Sequence, residues 1–242
     1  MSDVDVGGEY DWPPTYTLKK CPRTKHIKFK ASVKHGLELV VPIRFNQKNL
    51  PNILEINKEW IKKQLAKIQS QLALIGEKKL PEKIELPCLN KIWQIQYLKT
   101  HHKKCKLVLN PAGDIIIYGE ITDEKCFQLL NTWIRHEAKK ILTPLLNTAS
   151  QQTHLSFNQL VIRSQQTRWG SCSTAKNINL NYKLIFLPLE LIQHILIHEL
   201  CHTKVMNHSE KFWHLVSCHD PLWKEHNREI RSAQKFIPNW VE

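Results

Sequence analysis

The run His198-Glu199-Leu200-Cys201-His202 closes an apolar stretch that begins at Leu189, and this pairing constrains the fold more than any other feature of the chain. Leu189, Ile192, Leu196 and Leu200 recur at three- and four-residue steps, which predicts an amphipathic helix, and Pro188 suits a helix's first turn. Histidines at i and i+4 project from one helix face about one turn apart, so both imidazoles can reach one ion at about 2.0–2.1 Å. Glu199 lies one residue round the helix from His198, where a carboxylate serves as general base and not as ligand. With thirteen histidines in the chain, composition alone gives roughly a few per cent chance of such a pattern. An apolar helix carrying His, Glu and His is costly, however, unless those groups have partners.

Catalytic zinc takes three protein ligands and keeps one position open. His208 follows His202 at the spacing of the extended metzincin motif. Val205 stands where that motif has glycine, and Asn207 is the residue best suited to a left-handed turn. The alternative for His208 is an ordinary histidine at a helix start, which leaves Glu210, Glu225 or Glu229 as carboxylate ligands. Partners for the remaining ring nitrogens are expected among Asp220, Glu225, Glu229 and Asn207. His194 extends the histidine face by one turn and is expected, like His214 and His219, to be partly exposed.

Several separated pieces occur in a specific order: Arg168-Trp169-Gly170-Ser171-Cys172-Ser173, Ile178-Asn179-Leu180-Asn181, Leu187-Pro188, the H-E-L-C-H run, Asn207-His208-Ser209 and Phe212-Trp213. Together they resemble the YgjP-like metallopeptidase family, most strongly over residues 155–218. Arg23-Thr24-Lys25-His26-Ile27 and Glu59-Trp60-Ile61 extend the likeness more weakly toward the amino terminus. The resemblance implies a zincin-type hydrolase, more distantly similar to SprT-like proteins, with one zinc ion on His198, His202 and His208 and with Glu199 as catalytic base. It fixes the site better than the substrate.

A chain of 242 residues with 42% hydrophobic content can bury a sizeable core. No stretch of eighteen apolar residues occurs, and the first thirty residues hold no apolar core behind a basic start, which argues against a membrane span or signal-directed export. Seven scattered cysteines without a C-x-x-C pair read as reduced thiols of a cytoplasmic protein.

The fold class expected is α+β: a zincin-like catalytic half, with its active-site helix packed on a small sheet, preceded by an amino-terminal α+β half. Residues 1–21 read as an extended arm, 22–120 as the amino-terminal half and 121–242 as the catalytic half, with separate cores or a shared one. Residues 26–30 and 37–41 form a hairpin signal around Lys34-His35-Gly36, and Leu50 to Ile75 has helical spacing. Strands are expected at 92–97, 106–109 and 115–118, with a turn at Pro111-Ala112-Gly113-Asp114. A helix capped by Thr122 should run from Asp123 to about Ala149, kinked or ended by Pro144. Strands at 159–163 and 177–180 flank an Arg168–Ser171 turn, and helices follow at 209–217 and 221–236.

Arg168 is a candidate for stabilising a developing oxyanion, the alternative being that it ties its turn to a carboxylate. Trp169, Phe212 and Trp213 read as packing residues, and Gly170 as a site of close or left-handed backbone. Cys172 and Cys201 read as structural, against a nucleophile and a ligand respectively. Cys218 is the one displaced cysteine that could close a purely structural zinc site.

The net charge of +13 raises the odds of a polyanionic partner. Its densest cluster, Lys99 to Lys106, reads as an exposed hairpin loop. Three functions fit: a metallopeptidase acting on peptides, a nucleoside triphosphate pyrophosphohydrolase using the same site, and a nucleic-acid-associated protein of SprT-like type.

Overall fold

The computed structural model describes residues 12–32, 36–75 and 78–241. The fold is α+β and divides into two compact units, Met1–Glu77 and Lys78–Glu242. The expected halves, 22–120 and 121–242, share a core over the part of the first that follows residue 77. The physical reason is that the strands between residues 83 and 119 share one apolar core with the catalytic helices.

In the first unit β1 (Tyr16–Lys20), β2 (Lys28–Ser32) and β3 (Gly36–Val41) form a sheet with β3 at its centre. β3 runs antiparallel to β2, as the hairpin signal predicted, although the connection at 33–35 lies outside the described residues. It also runs parallel to β1, with Leu18 opposite Leu39. The expected extended arm is thus a strand over 16–20. Mostly exposed and polar, β1 lacks the apolar alternation by which a strand is recognised. Leu50 to Ile75 is two helices, α1 (Leu50–Ile56) and α2 (Lys58–Ile75), which meet at Asn57, whose φ of −99° and ψ of 9° lie outside the helical region. Leu37, Leu39, Leu50, Leu54 and Ile61 form this unit's core.

The second unit begins with β4 (Lys83–Leu86), β5 (Lys91–Lys99), β6 (Lys106–Leu109) and β7 (Ile115–Gly119), in the order β4-β5-β7-β6. The predicted turn joins β6 to β7, closed by the Asn110 amide donating to the Asp114 carbonyl at 2.9 Å. β5 pairs with β7 in parallel, so the basic segment 99–106 is a crossover and not a hairpin loop. Gly119, with φ of 129°, lets this crossover pass: a Cβ there would stand 2.5 Å from the Lys104 carbonyl oxygen.

The long helix α3 (Asp123–Thr153) starts at the Thr122 cap, whose hydroxyl accepts from the Lys125 amide. It continues through Pro144 because the hydrogen bond lost there belongs to Lys140, on the exposed side, where water can take the carbonyl. Its buried stripe, including Leu130, Ile134, Ala138, Leu142 and Leu146, shares the core with Trp93, Ile95, Ile115 and Ile117 of the sheet.

A second sheet has β10 (Asn177–Asn181) between β8 (Gln159–Arg163), which is parallel to it, and β9 (Gly170–Cys172), which is antiparallel. The expected Arg168–Ser171 turn is therefore partly strand. The chain then gives α4 (Leu189–Cys201), α5 (Glu210–His219) and α6 (Trp223–Ile230). A separate 3-10 turn at Ala233–Phe236 replaces the last turns expected of the final helix. α4 packs against α3, α5, α6 and β9 and lies at the centre of the unit. No helix among the described residues is long and apolar enough to cross a membrane.

Candidate metal centre

The helix α4 buries Leu191, Ile192, Ile195, Leu196 and Leu200, which turns His198, Glu199 and His202 toward β9 and the segment leading to α5. His202 is the helix's carboxy-terminal cap, so the chain leaves the helix at this side chain. His208 returns from the following loop. The three Nε2 atoms lie 3.1 Å (His198–His202), 3.2 Å (His202–His208) and 3.1 Å (His198–His208) apart. Nitrogen donors at about 2.0–2.1 Å from a tetrahedral centre stand about 3.3 Å apart, so the set fits one divalent ion.

Ring orientation supports the same reading. The Val205 carbonyl sits 3.0 Å from His202 Nδ1, which fixes the Nδ1–H tautomer and leaves the Nε2 lone pair to face the other two. Phe212 stacks on His202 at 4.4 Å between ring centroids, and Trp213 lies 5.7 Å from His208 and stacks on Trp223 at 4.5 Å. Both residues clamp the histidines, as expected of packing residues. Burial holds the His198 imidazole down to about 3, with the neighbouring His202 and His208 rings acting in the same direction. Burial also lowers His202, partly offset by the Val205 carbonyl. Neutral imidazole is the form that ligates.

Glu199 is 5% exposed, and its Oε2 makes no hydrogen bond among the described residues. Burial pushes its carboxyl up to about 8, against the pull of the Arg168 guanidinium. Gly170 of β9 sits directly against it: a Cβ there would stand 2.5 Å from Glu199 Oε1 and 2.7 Å from its Cγ. The need for glycine is thus close approach and not a left-handed backbone, because no positive φ occurs at this residue.

A cleft of about 390 Å³ opens onto the histidines and Glu199, with Arg168, Cys172 and Met206 on its walls. Arg168 is exposed and makes no ion pair among the described residues, so the tie to a carboxylate does not form. Burial first, and the Glu199 carboxylate second, push the Cys172 thiol up to about 11, a poor nucleophile. Cys201 is fully buried and, like Cys218, stands outside the histidine group. Glu210, Glu225 and Glu229 are exposed and do not join it either.

Sequence reasoning missed the state of His194. It is 3% exposed, with Nδ1 2.6 Å from Asp220 Oδ2, and the same carboxylate lies 3.0 Å from His226 Nδ1. The three residues come from α4, the end of α5 and α6, separations that no local pattern reports.

Three convergent imidazoles with an adjacent buried carboxylate, on an α+β frame, form a group that could hold a metal ion. The chain belongs to the YgjP-like metallopeptidase family, whose domain model matches residues 25–233. Among solved structures it is similar to the metallopeptidase zymogen abylysin of Pyrococcus abyssi, at 27% identity with a TM-score of 0.37, over 39% of this chain and 96% of that one. No curated protein matches the chain.

Proposed function

We propose that this protein is a zinc-dependent peptidase of zincin type, with His198, His202 and His208 as ligands and Glu199 as general base. The observation that carries the reading is the convergence of three Nε2 atoms beside the Glu199 carboxylate, whose Oε2 has no hydrogen-bond partner among the described residues. His198, His202 and His208 would hold a zinc ion, which when bound would supply Lewis acidity toward a carbonyl and toward water. Glu199 takes a proton from the attacking water and passes it to the leaving amine, work suited to a carboxyl raised toward neutrality. Gly170 brings the β9 edge close enough for an extended peptide to lie along the cleft. Arg168, on the cleft wall, stabilises the oxyanion that develops on the carbonyl.

The test measures metal per chain and turnover of a quenched-peptide library for wild type and Glu199→Gln, with nucleoside triphosphates screened in parallel. We expect one zinc in each protein and peptide turnover in wild type alone. Full activity in Glu199→Gln would remove the base from the scheme, and turnover of triphosphates without peptides would move the same site to phosphoanhydride chemistry.

A nucleic-acid contact is a second reading, favoured by one cavity lined by His102, Lys103, Lys104, Lys106 and Tyr118. Its mark is a DNA affinity that falls steeply with salt and is lost when Lys103, Lys104 and Lys106 are neutralised.

A further inference from the structure

The positive charge of the chain is concentrated in the first unit. Residues 12–75 hold thirteen lysines and arginines against three acids, Glu38, Glu55 and Glu59. Two of these acids are already engaged, Glu38 with Lys19 and Glu55 with Lys58.

Part of this charge is arrayed on one face of the β1-β3-β2 sheet. Leu18, Leu39 and Phe29 align across the three strands and belong to the core of the unit. The alternate positions form the opposite face. There Lys19 and Lys28 flank Val40, while Thr17 and Lys30 flank Glu38. With strands about 4.8 Å apart, Lys19 and Lys28 stand about 10 Å apart across the sheet, and Lys28 and Lys30 about 7 Å apart along β2. Thr17 and the three lysines are exposed, whereas Glu38 is 8% exposed. The acid is thus sunk in the sheet and takes Lys19, while Lys28 and Lys30 make no ion pair among the described residues.

The chemistry of this face selects its partner. Among its described residues none is aromatic, so it has no platform on which unpaired bases could stack. Its apolar side chain, Val40, is half-buried between lysines, so it has nothing to sink below lipid headgroups. A duplex presents one phosphate charge per about 1.7 Å of axis and requires neither feature. We propose that this face of the first unit docks the phosphate backbone of a nucleic-acid duplex, without reading its sequence. The inference goes beyond the peptidase reading and stands without it. It also places the contact in a different unit from Lys103, Lys104 and Lys106, so substitution tells the two apart.

The test titrates the full-length protein against a labelled DNA duplex of about two helical turns, by fluorescence anisotropy at about 50 and 200 mM salt. Wild type should bind duplexes of different sequence within about twofold of one another, with affinity falling by about 10- to 50-fold between the two salt concentrations, as two or three phosphate contacts require. Lys28→Gln with Lys30→Gln should weaken binding by about 10-fold or more at the lower salt and reduce the salt slope by about two, with an unchanged urea midpoint. Lys28→Arg with Lys30→Arg should restore it, and neutralising Lys103, Lys104 and Lys106 should leave it within about threefold of wild type. An unchanged salt slope in the Lys28→Gln, Lys30→Gln protein would overturn the proposal, as would loss of binding on neutralising the crossover lysines instead. Tighter binding of a single strand of the same length, or of phosphatidylserine–phosphatidylcholine vesicles, would overturn it in favour of those partners. No step of the test depends on peptide turnover, so failure of the peptidase reading leaves its outcome intact.

Discussion

Two clusters of metal-type side chains lie one helical turn apart on α4, and they are built in opposite ways. In the first, three Nε2 atoms face one another at 3.1–3.2 Å beside an open cleft, with no acidic atom in the set. In the second, His194 and His226 both direct Nδ1 to the Asp220 carboxylate, at 2.6 Å and 3.0 Å. The second cluster is satisfied by its own counter-charge, since a carboxylate accepts from two imidazoles. Its shortest separation is also too small for two ligands of one tetrahedral ion, which stand about 3.3 Å apart. The first brings three ring nitrogens together with no carboxylate among them, an arrangement that a cation could complete. Ligand-type residues in proximity do not make a metal site; uncompensated lone pairs do.

The strongest way to break this contrast is to remove one member of each cluster. His202→Ala should abolish stoichiometric metal binding and with it all hydrolysis, read by metal analysis of the purified protein. Gly170→Ala should retain the metal but lower kcat/KM by about 10²-fold, because the new methyl displaces the Glu199 carboxylate. A fully active Gly170→Ala protein would mean that the carboxylate has freedom the packing denies. Asp220→Asn should leave one metal per chain and reduce stability by about 1.5–3 kcal/mol, the range for hydrogen bonds to a charged group, measured by urea denaturation of the metal-free protein. Loss of metal in that variant would join the two clusters into one functional unit. Cys172→Ser should be the mildest, with activity within about twofold of wild type, since a thiol held near 11 offers no thiolate at neutral pH.

The same contrast explains what could be read from the sequence. The first cluster was legible because His198 and His202 are four residues apart on a helix marked by Leu189, Ile192, Leu196 and Leu200, with His208 six residues further on. His194 sits in the same apolar run, yet its partner is 26 residues away, and a buried polar residue shows only through that partner. Strands fared similarly. β6 and β7 form a local hairpin that a turn announces, whereas the parallel β5–β7 pairing reaches across β6 and leaves no local mark. β9 is three residues long, too short for alternation to show, and β4 offers only Ile84 and Leu86 between charges. Asn57 divides a helix whose apolar spacing runs on unbroken, because the break lies in the backbone angles of that one residue and not in the apolar pattern.

Asn181 makes the arrangement of the cleft unusually sensitive to a single atom. Its amide nitrogen holds the Gln165 and Arg168 carbonyls while its amide oxygen accepts from the Lys183 backbone at 3.1 Å. Exchanging that nitrogen for oxygen, as deamidation does, would leave the turn cap in place and set a carboxylate against two carbonyl oxygens. A chemical event of ageing would thereby release the segment that carries Arg168.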